Sequence, residues 1–222
     1  MKKSILLLLL IISVALTIAS LYLESKTMLY FFNPISTILV ILLPITLAKS
    51  PLQPYKNLIL IGLLFCLLGD IFLMFDAYFV FGLASFLVGH IFFMFAFTTI
   101  NGFIINVKTL IPLVVIAGFI FFYLKNHLDD LLIPIIFYIS FIVLMAWQAI
   151  NLYLFKKEHG FLLIAIGACL FMVSDSILSY RQFITDFPFG QFLVYCTYWS
   201  AITLIALSTI HINKKYKAVK KS

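Results

Sequence analysis

Runs of apolar residues long enough to cross a lipid bilayer recur along almost the whole chain. A helix needs about 20 such residues to span a hydrocarbon core of about 30 Å, and the runs fall at 5–23, 28–48, 57–75, 79–100, 109–124, 131–155, 161–180 and 187–210. Within hydrocarbon a backbone must satisfy its own polar groups, which leaves helices and closed barrels. Runs of this length read as helices, so the expected fold is all-α: an integral membrane bundle of eight transmembrane helices, one domain over 1–222, with a basic tail at 211–222. The shortest run is lengthened by Phe103 to Val107 if Lys108 snorkels towards the headgroups. Lys2 and Lys3 before the first run resemble the start of a secretory leader, but 19 apolar residues exceed the usual core of one, and the run reads as a retained helix.

Composition agrees. With 64% hydrophobic and 10% charged residues and a mean hydropathy of +1.19, the chain lies outside the range of soluble domains. Little length remains for a water-soluble domain, so any function belongs to the bilayer or its short loops. Basic residues accumulate on the cytoplasmic side of short loops. Lys2, Lys3, Lys49, Lys56, Lys108, Lys156, Lys157 and the five tail lysines share one side, and only Lys26, Lys125 and Arg181 face the other. Both termini are expected in the cytoplasm, with a bacterial cytoplasmic membrane as the setting. The net charge of +7 reads as this topology signal plus a tail that attracts anionic headgroups. No basic, aromatic-interleaved surface suited to nucleic acid is present.

Soluble catalytic signatures are missing from the sequence: there is no GxSxG elbow, P-loop or dinucleotide fingerprint. Cys66, Cys169 and Cys196 all fall within helical runs without CxxC spacing, which argues for packing rather than disulfides or zinc. His127, His159 and His211 fall at run ends or in loops, leaving His90 as the one deep histidine.

Against this background two carboxylates stand out. Of 15 basic and 8 acidic residues, only Asp70 and Asp175 lie inside the runs. An Asp at a helix centre costs roughly 2.5–3.5 kcal/mol on insertion scales and normally faces a bundle interior or a wet cavity. The bland explanation is a protonated carboxyl that hydrogen-bonds neighbouring helices together. A functional one is favoured by the shared setting of the pair: Gly69-Asp70-Ile71-Phe72-Leu73 parallels Ser174-Asp175-Ser176-Ile177-Leu178, on helices three and seven. Asn33-Pro34 and Ile133-Pro134 form a looser echo. A displacement of four helices preserves direction across the membrane, which suggests a tandem 4+4 repeat. Asp70 lies 13 residues past Asn57 and Asp175 lies 14 past Phe161, so both sit about 20 Å from the same ends of their helices. Two carboxyls at one depth can form a dyad.

Other residues fit this frame less uniquely. Lys49 can hold a phosphate or merely snorkel. His90, Tyr138 and the i, i+3, i+4 set Tyr195, Tyr198 and Trp199 can line a polar cavity or simply pack. On these residues alone, an enzyme and a proton-coupled transporter remain about equally well supported, with a structural bundle as the third reading.

The stretches GLLFCLLGDIFLM (from Gly62), FGLASFLVGHIFFMFAF (from Phe81), IGACLFMVSDSIL (from Ile166) and YWSAITLIALS (from Tyr198), preceded by Lys49 and Pro51, resemble the YhhN family of multi-pass membrane proteins, whose characterised members are lysoplasmalogenases. The resemblance covers Lys49 to Ser208. It implies hydrolysis of the vinyl-ether bond of lysoplasmalogens to a fatty aldehyde and a glycerophosphoethanolamine or glycerophosphocholine. The matching positions are Lys49, Gly69, Asp70, His90, Ser174, Asp175 and Tyr198. Phe93 stands where the family pattern leads one to expect Tyr, and Ile202 where many relatives carry Gln.

The implied chemistry suits the residues. A vinyl ether hydrolyses by protonation at its β-carbon, which creates an oxocarbenium-like cation that water captures. Two carboxyls held close share one proton more readily than they ionise together, so one donates and the other stabilises charge. Asp70 and Asp175 are the expected catalytic residues. Asp70 is the preferred acid, because Ser174 and Ser176 can hydrogen-bond Asp175. Lys49, His90, Ser174, Tyr138, Tyr195, Tyr198 and Trp199 are the expected substrate contacts. No metal or organic cofactor is called for, and the expected partners are a lysophospholipid substrate and bilayer lipid.

Overall fold

A computed structural model describes residues 3–48 and 52–212. Eight long helices run through it: α1 (Lys3–Tyr22), α2 (Lys26–Leu47), α3 (Gln53–Leu73), α4 (Phe79–Asn101), α5 (Val107–Leu124), α6 (Leu132–Lys156), α7 (His159–Phe183) and α8 (Gly190–His211). Each is long and apolar enough to cross a membrane, and no strand occurs among the described residues. The all-α membrane bundle expected from hydropathy is the observed fold.

Boundaries differ from the apolar runs where local chemistry decides them. α3 starts at Gln53, four residues before its run, with Pro54 in the first turn, where a missing N–H costs nothing. α7 continues to Phe183 and brings Arg181 into its last turn, a position that favours a cation. α8 starts three residues later than its run, because the Asp186 carboxylate accepts the Phe187 N–H at 2.8 Å and Phe189 adopts a left-handed φ of 64°.

The tightest packing pairs α3 with α4 and α7 with α8. Four helices further along the chain, the larger contacts find counterparts: α1–α2 becomes α5–α6, α2–α3 becomes α6–α7, and α4–α6 becomes α8–α2. That is the pattern of parallel repeats about an axis along the membrane normal. Without a hydrophobic force between helices in lipid, close approach relies on small residues. At Gly167, on the α7 side of the α7–α8 pair, a Cβ would lie 2.9 Å from the backbone oxygen of Ala201. That backbone cannot move aside, so Gly167→Val should lower stability by about 1–3 kcal/mol. Thermal unfolding in detergent would show it, with Gly118→Ala as the control: nothing lies within 4 Å of Gly118, and this change should not lower the melting temperature.

Polar side chains bind the bundle internally. Ser13 and Ser36 hydroxyls meet at 2.8 Å between α1 and α2, and Tyr55 meets Ser208 at 2.5 Å between α3 and α8. The Gln148 side chain pairs with both the N–H and the carbonyl of Ile104 at 3.0 Å, fastening the loop before α5 to α6. The outward faces of α1 and α5 carry exposed Leu, Ile, Val and Phe, the surface expected towards lipid.

Candidate active site

Asp70 lies 17 residues beyond the start of α3 and Asp175 lies 16 beyond the start of α7, about 25 Å along parallel helices. Both are buried, at 6% and 8% exposure. An ionisable group withdrawn from water needs hydrogen-bond partners; Asp70 finds them on two neighbouring helices and Asp175 on one, with a histidine of a second close by. The Asp70 Oδ2 accepts from the Thr37 hydroxyl on α2 and from the Tyr198 hydroxyl on α8 at 2.9 Å. Thr37 Oγ1 in turn accepts the Trp199 Nε1–H at 3.2 Å. The Asp175 Oδ2 accepts from the Tyr138 hydroxyl on α6 at 2.5 Å and lies 3.6 Å from His90 Nε2 on α4. Displacement by four helices carries α2 to α6 and α8 to α4, so the two aspartates occupy equivalent places served by chemically different partners.

Aromatic rings pack around the partners of the pair. The Phe171 ring centroid lies 4.6 Å from that of His90 and 5.5 Å from that of Tyr198. Phe86 is edge-on to Tyr198 at 5.6 Å. Phe86 fits only because residue 69 is glycine: a Cβ there would be 2.7 Å from the ring. His90 is fully buried, and neither ring nitrogen has a hydrogen-bond partner.

Both carboxyls line one cavity of about 470 Å³. Its inner wall includes Asn33, Phe86, Ser174, Val194, Tyr195 and Tyr198, and its rim carries Asp76, Arg181, Asp186 and Gln191. Leu21, Leu29, Met74 and Phe75 also line it, which places the mouth at the end of the bundle where α1, α3 and α7 finish. At the rim the Arg181 guanidinium grips both oxygens of Asp186, at 2.6 and 3.0 Å, and donates to the Gln191 side chain. The Arg181 hydrogen bonds hold the Asp186 carboxyl below the usual carboxylate range.

Of the residues singled out in the sequence, Asp70, Asp175, Ser174, Tyr195 and Tyr198 line the cavity, Tyr138 and His90 adjoin Asp175, and Trp199 supports Thr37. Lys49 lies outside the described residues. The serine argument for Asp70 as the acid does not hold, because Ser174 donates to the Val194 carbonyl at 3.2 Å and Ser176 to the Met172 carbonyl at 2.6 Å. Sequence reasoning missed Thr37, Arg181, Asp186 and Gln191, and noticed Asn33 only as part of a dipeptide. Asn33 is buried, and its Oδ1 has no hydrogen-bond donor; a polar residue before a helix-interior proline was the available signal. Among the described residues no three His, Cys, Asp or Glu side chains gather as a metal site.

No solved structure gives a significant match. The lysoplasmalogenase TMEM86A of Bos taurus is 30% identical over 164 residues, covering 71% of this chain and 67% of that protein. The lysoplasmalogenase TMEM86B of Homo sapiens is 29% identical over 163 residues, 72% of this chain and 67% of its own length. A lysoplasmalogenase homolog of Dictyostelium discoideum is 29% identical over 159 residues, with 58% and 51% covered. The sequence pattern of the YhhN family matches residues 28–209, a stretch that runs from the start of α2 to the last turn of α8 and contains every partner of both aspartates; the chain belongs to the YhhN family.

Proposed function

We propose that this protein is a membrane-embedded lysoplasmalogenase, hydrolysing the vinyl ether of 1-alkenyl lysophospholipids to a fatty aldehyde and a glycerophosphoethanolamine or glycerophosphocholine. The observation that carries the reading is the placement of two intramembrane carboxyls in one cavity, in a chain whose relatives bear that name. The proton-coupled transporter that the same aspartates allowed finds no support among those relatives.

In the mechanism, one carboxyl transfers its proton to the β-carbon of the vinyl ether. The electron pair of the double bond forms the new C–H bond, and the ether oxygen shares the positive charge left on the α-carbon. The other carboxyl, as carboxylate, stabilises that cation and takes a proton from the water that adds to it. The hemiacetal then collapses: its hydroxyl proton leaves, the carbonyl forms, and the C–O bond to glycerol breaks with a proton returned to the glycerol oxygen. Tyr198 and Thr37 orient Asp70, and Tyr138 orients Asp175. His90, fully buried and 3.6 Å from Asp175, backs that carboxyl from α4. The chain's own residues supply acid, base and orientation.

Purified protein in detergent should release aldehyde from a 1-alkenyl lysophospholipid and none from its saturated 1-alkyl analogue. A saturated ether offers no carbon to protonate. Cleavage of neither lipid overturns the reading.

The orientation rests on basic residues: Lys26, Lys125 and Arg181 lie at the end of the bundle with the cavity mouth, whereas Lys56, Lys108, Lys156 and Lys157 lie at the other. This asymmetry supports the reading that both termini face the cytoplasm, with a bacterial cytoplasmic membrane as the proposed setting and the mouth on its opposite face. In intact cells, cysteines at Ser4 and Ser222 should resist a membrane-impermeant thiol reagent, while one at Thr185 should react. Labelling of both termini reverses the orientation.

A further inference from the structure

We propose that Arg181 is the residue that binds the substrate phosphate, and that Asp186 occupies its guanidinium as a stand-in anion which the phosphodiester displaces. This rests on the vinyl-ether reading of the cavity and deepens it by assigning the polar end of the substrate.

Arg181 is the one basic residue lining the cavity among the described residues. Its side chain is 15% exposed, whereas that of Asp186 is 65% exposed, so the guanidinium faces the cavity rim with its anion on the solvent side. The two parallel contacts, Nε to Oδ1 and Nη2 to Oδ2, form the fork that guanidinium makes equally with two oxygens of a carboxylate or a phosphate. An ion pair whose carboxylate is so open to water contributes little stability, and exchange for an incoming phosphodiester is easy. The lowered pKa of Asp186, caused first by its hydrogen bonds from Arg181, has a definite sign: pairing is fully present above the ordinary carboxylate value and is lost as pH falls through the lowered one. The stand-in is thus fully charged at neutral pH, and phosphate competition, not protonation, must release it.

Distance along the helix gives an independent check. Arg181 follows Asp175 by six residues on α7, a rise of about 9 Å. From the vinyl-ether β-carbon to the phosphorus of a lysophospholipid runs a path of seven bonds, spanning about 9 Å when extended, for bonds of ~1.5 Å. A phosphate on Arg181 therefore leaves the reacting carbon level with the carboxyls. Gln191, already bonded to Arg181, fixes the guanidinium plane throughout.

The experiment uses three ligands: the 1-alkenyl lysophospholipid, a phosphate-free 1-alkenylglycerol, and the uncleavable 1-alkyl lysophospholipid, whose binding is read by displacement of a fluorescent lipid in detergent. Arg181→Gln should raise KM for the phosphate-bearing substrate at least tenfold, with a smaller effect on kcat. Its preference for that substrate over the alkenylglycerol, as a ratio of kcat/KM, should fall at least tenfold. Arg181→Lys should recover only part of this, since an ammonium lacks the fork. Asp186→Asn should lower KM for the phosphate-bearing substrate severalfold, and should do nothing further in the Arg181→Gln background. Weaker binding of the uncleavable ether by Arg181→Gln, with no cleavage of any lipid by the wild type, sustains the phosphate site while ending the vinyl-ether reading. Cleavage with equal losses on both substrates, no loss in Arg181→Gln, or a raised KM in Asp186→Asn overturns the assignment.

Discussion

Asp70→Asn and Asp175→Asn should each lower kcat for aldehyde release by about 10³-fold or more, and the double variant should be hardly slower than either. Asn preserves the size and polarity of the side chain and can still accept the hydrogen bonds from Thr37 and Tyr198, or from Tyr138, that now reach Asp70 and Asp175. It cannot donate the proton to carbon, nor carry the negative charge that steadies the cation. Because both functions are needed in one transition state, removing the second carboxyl after the first takes away nothing that was still in use. Independent roles would instead multiply their effects. Turnover near that of the wild type in either variant, on protein that elutes as a single species, would leave that aspartate as a structural tie between helices. The pH–rate profile of the wild type at saturating substrate should be bell-shaped, since one carboxyl must hold a proton while the other has lost it.

Replacing the hydroxyl donors should give the next largest effects, and in a definite order. Tyr138→Phe removes the one hydroxyl that bonds Asp175 among the described residues, whereas Tyr198→Phe leaves Asp70 with Thr37. Deleting a single donor aimed at a developing or resident charge costs about 10²–10³ in kcat where nothing replaces it. Tyr138→Phe should therefore fall by about 10²-fold and Tyr198→Phe by roughly tenfold, with Thr37→Val joined to Tyr198→Phe bringing the second site down to the first. Steady-state kcat in a common detergent checks it. The reverse order would mean that His90, not Tyr138, governs Asp175.

The eight helices were legible because hydrocarbon imposes a length and a composition on anything that crosses it. Asp70 and Asp175 were legible for the same reason: charge is costly there, so each instance asks for a cause. Hydroxyls carry no such penalty. Thr37 is one of several Ser and Thr residues in an apolar run, and only the packing of α2 against α3 and α8 shows which carboxyl it meets. The equivalence of the two aspartates was visible in their flanking residues, but that of their partners was not, since Thr37 and Tyr198 on one side answer to Tyr138 and His90 on the other. Arg181 escaped because apolar content ends at Tyr180 while the helix continues to Phe183. A residue assigned to a loop by hydropathy thereby becomes part of the cavity rim. Ser174 and Ser176, which looked like partners of Asp175, bond backbone carbonyls instead, a common outlet for hydroxyls within helices.

In the proposed mechanism cleavage begins with a proton on carbon, and water attacks the vinyl carbon rather than glycerol. Hydrolysis of a 1-alkenyl lysophospholipid in ¹⁸O-water tests it, because an alcohol oxygen, once formed, does not exchange with solvent. Mass spectrometry of the glycerophospho product should show no ¹⁸O, the glycerol having kept its own oxygen, and a parallel reaction in deuterium oxide should be slower than in water with one deuterium on the carbon next to the aldehyde. Heavy oxygen in the glycerophospho product would place the bond break on the glycerol side and contradict the carboxylate mechanism outright.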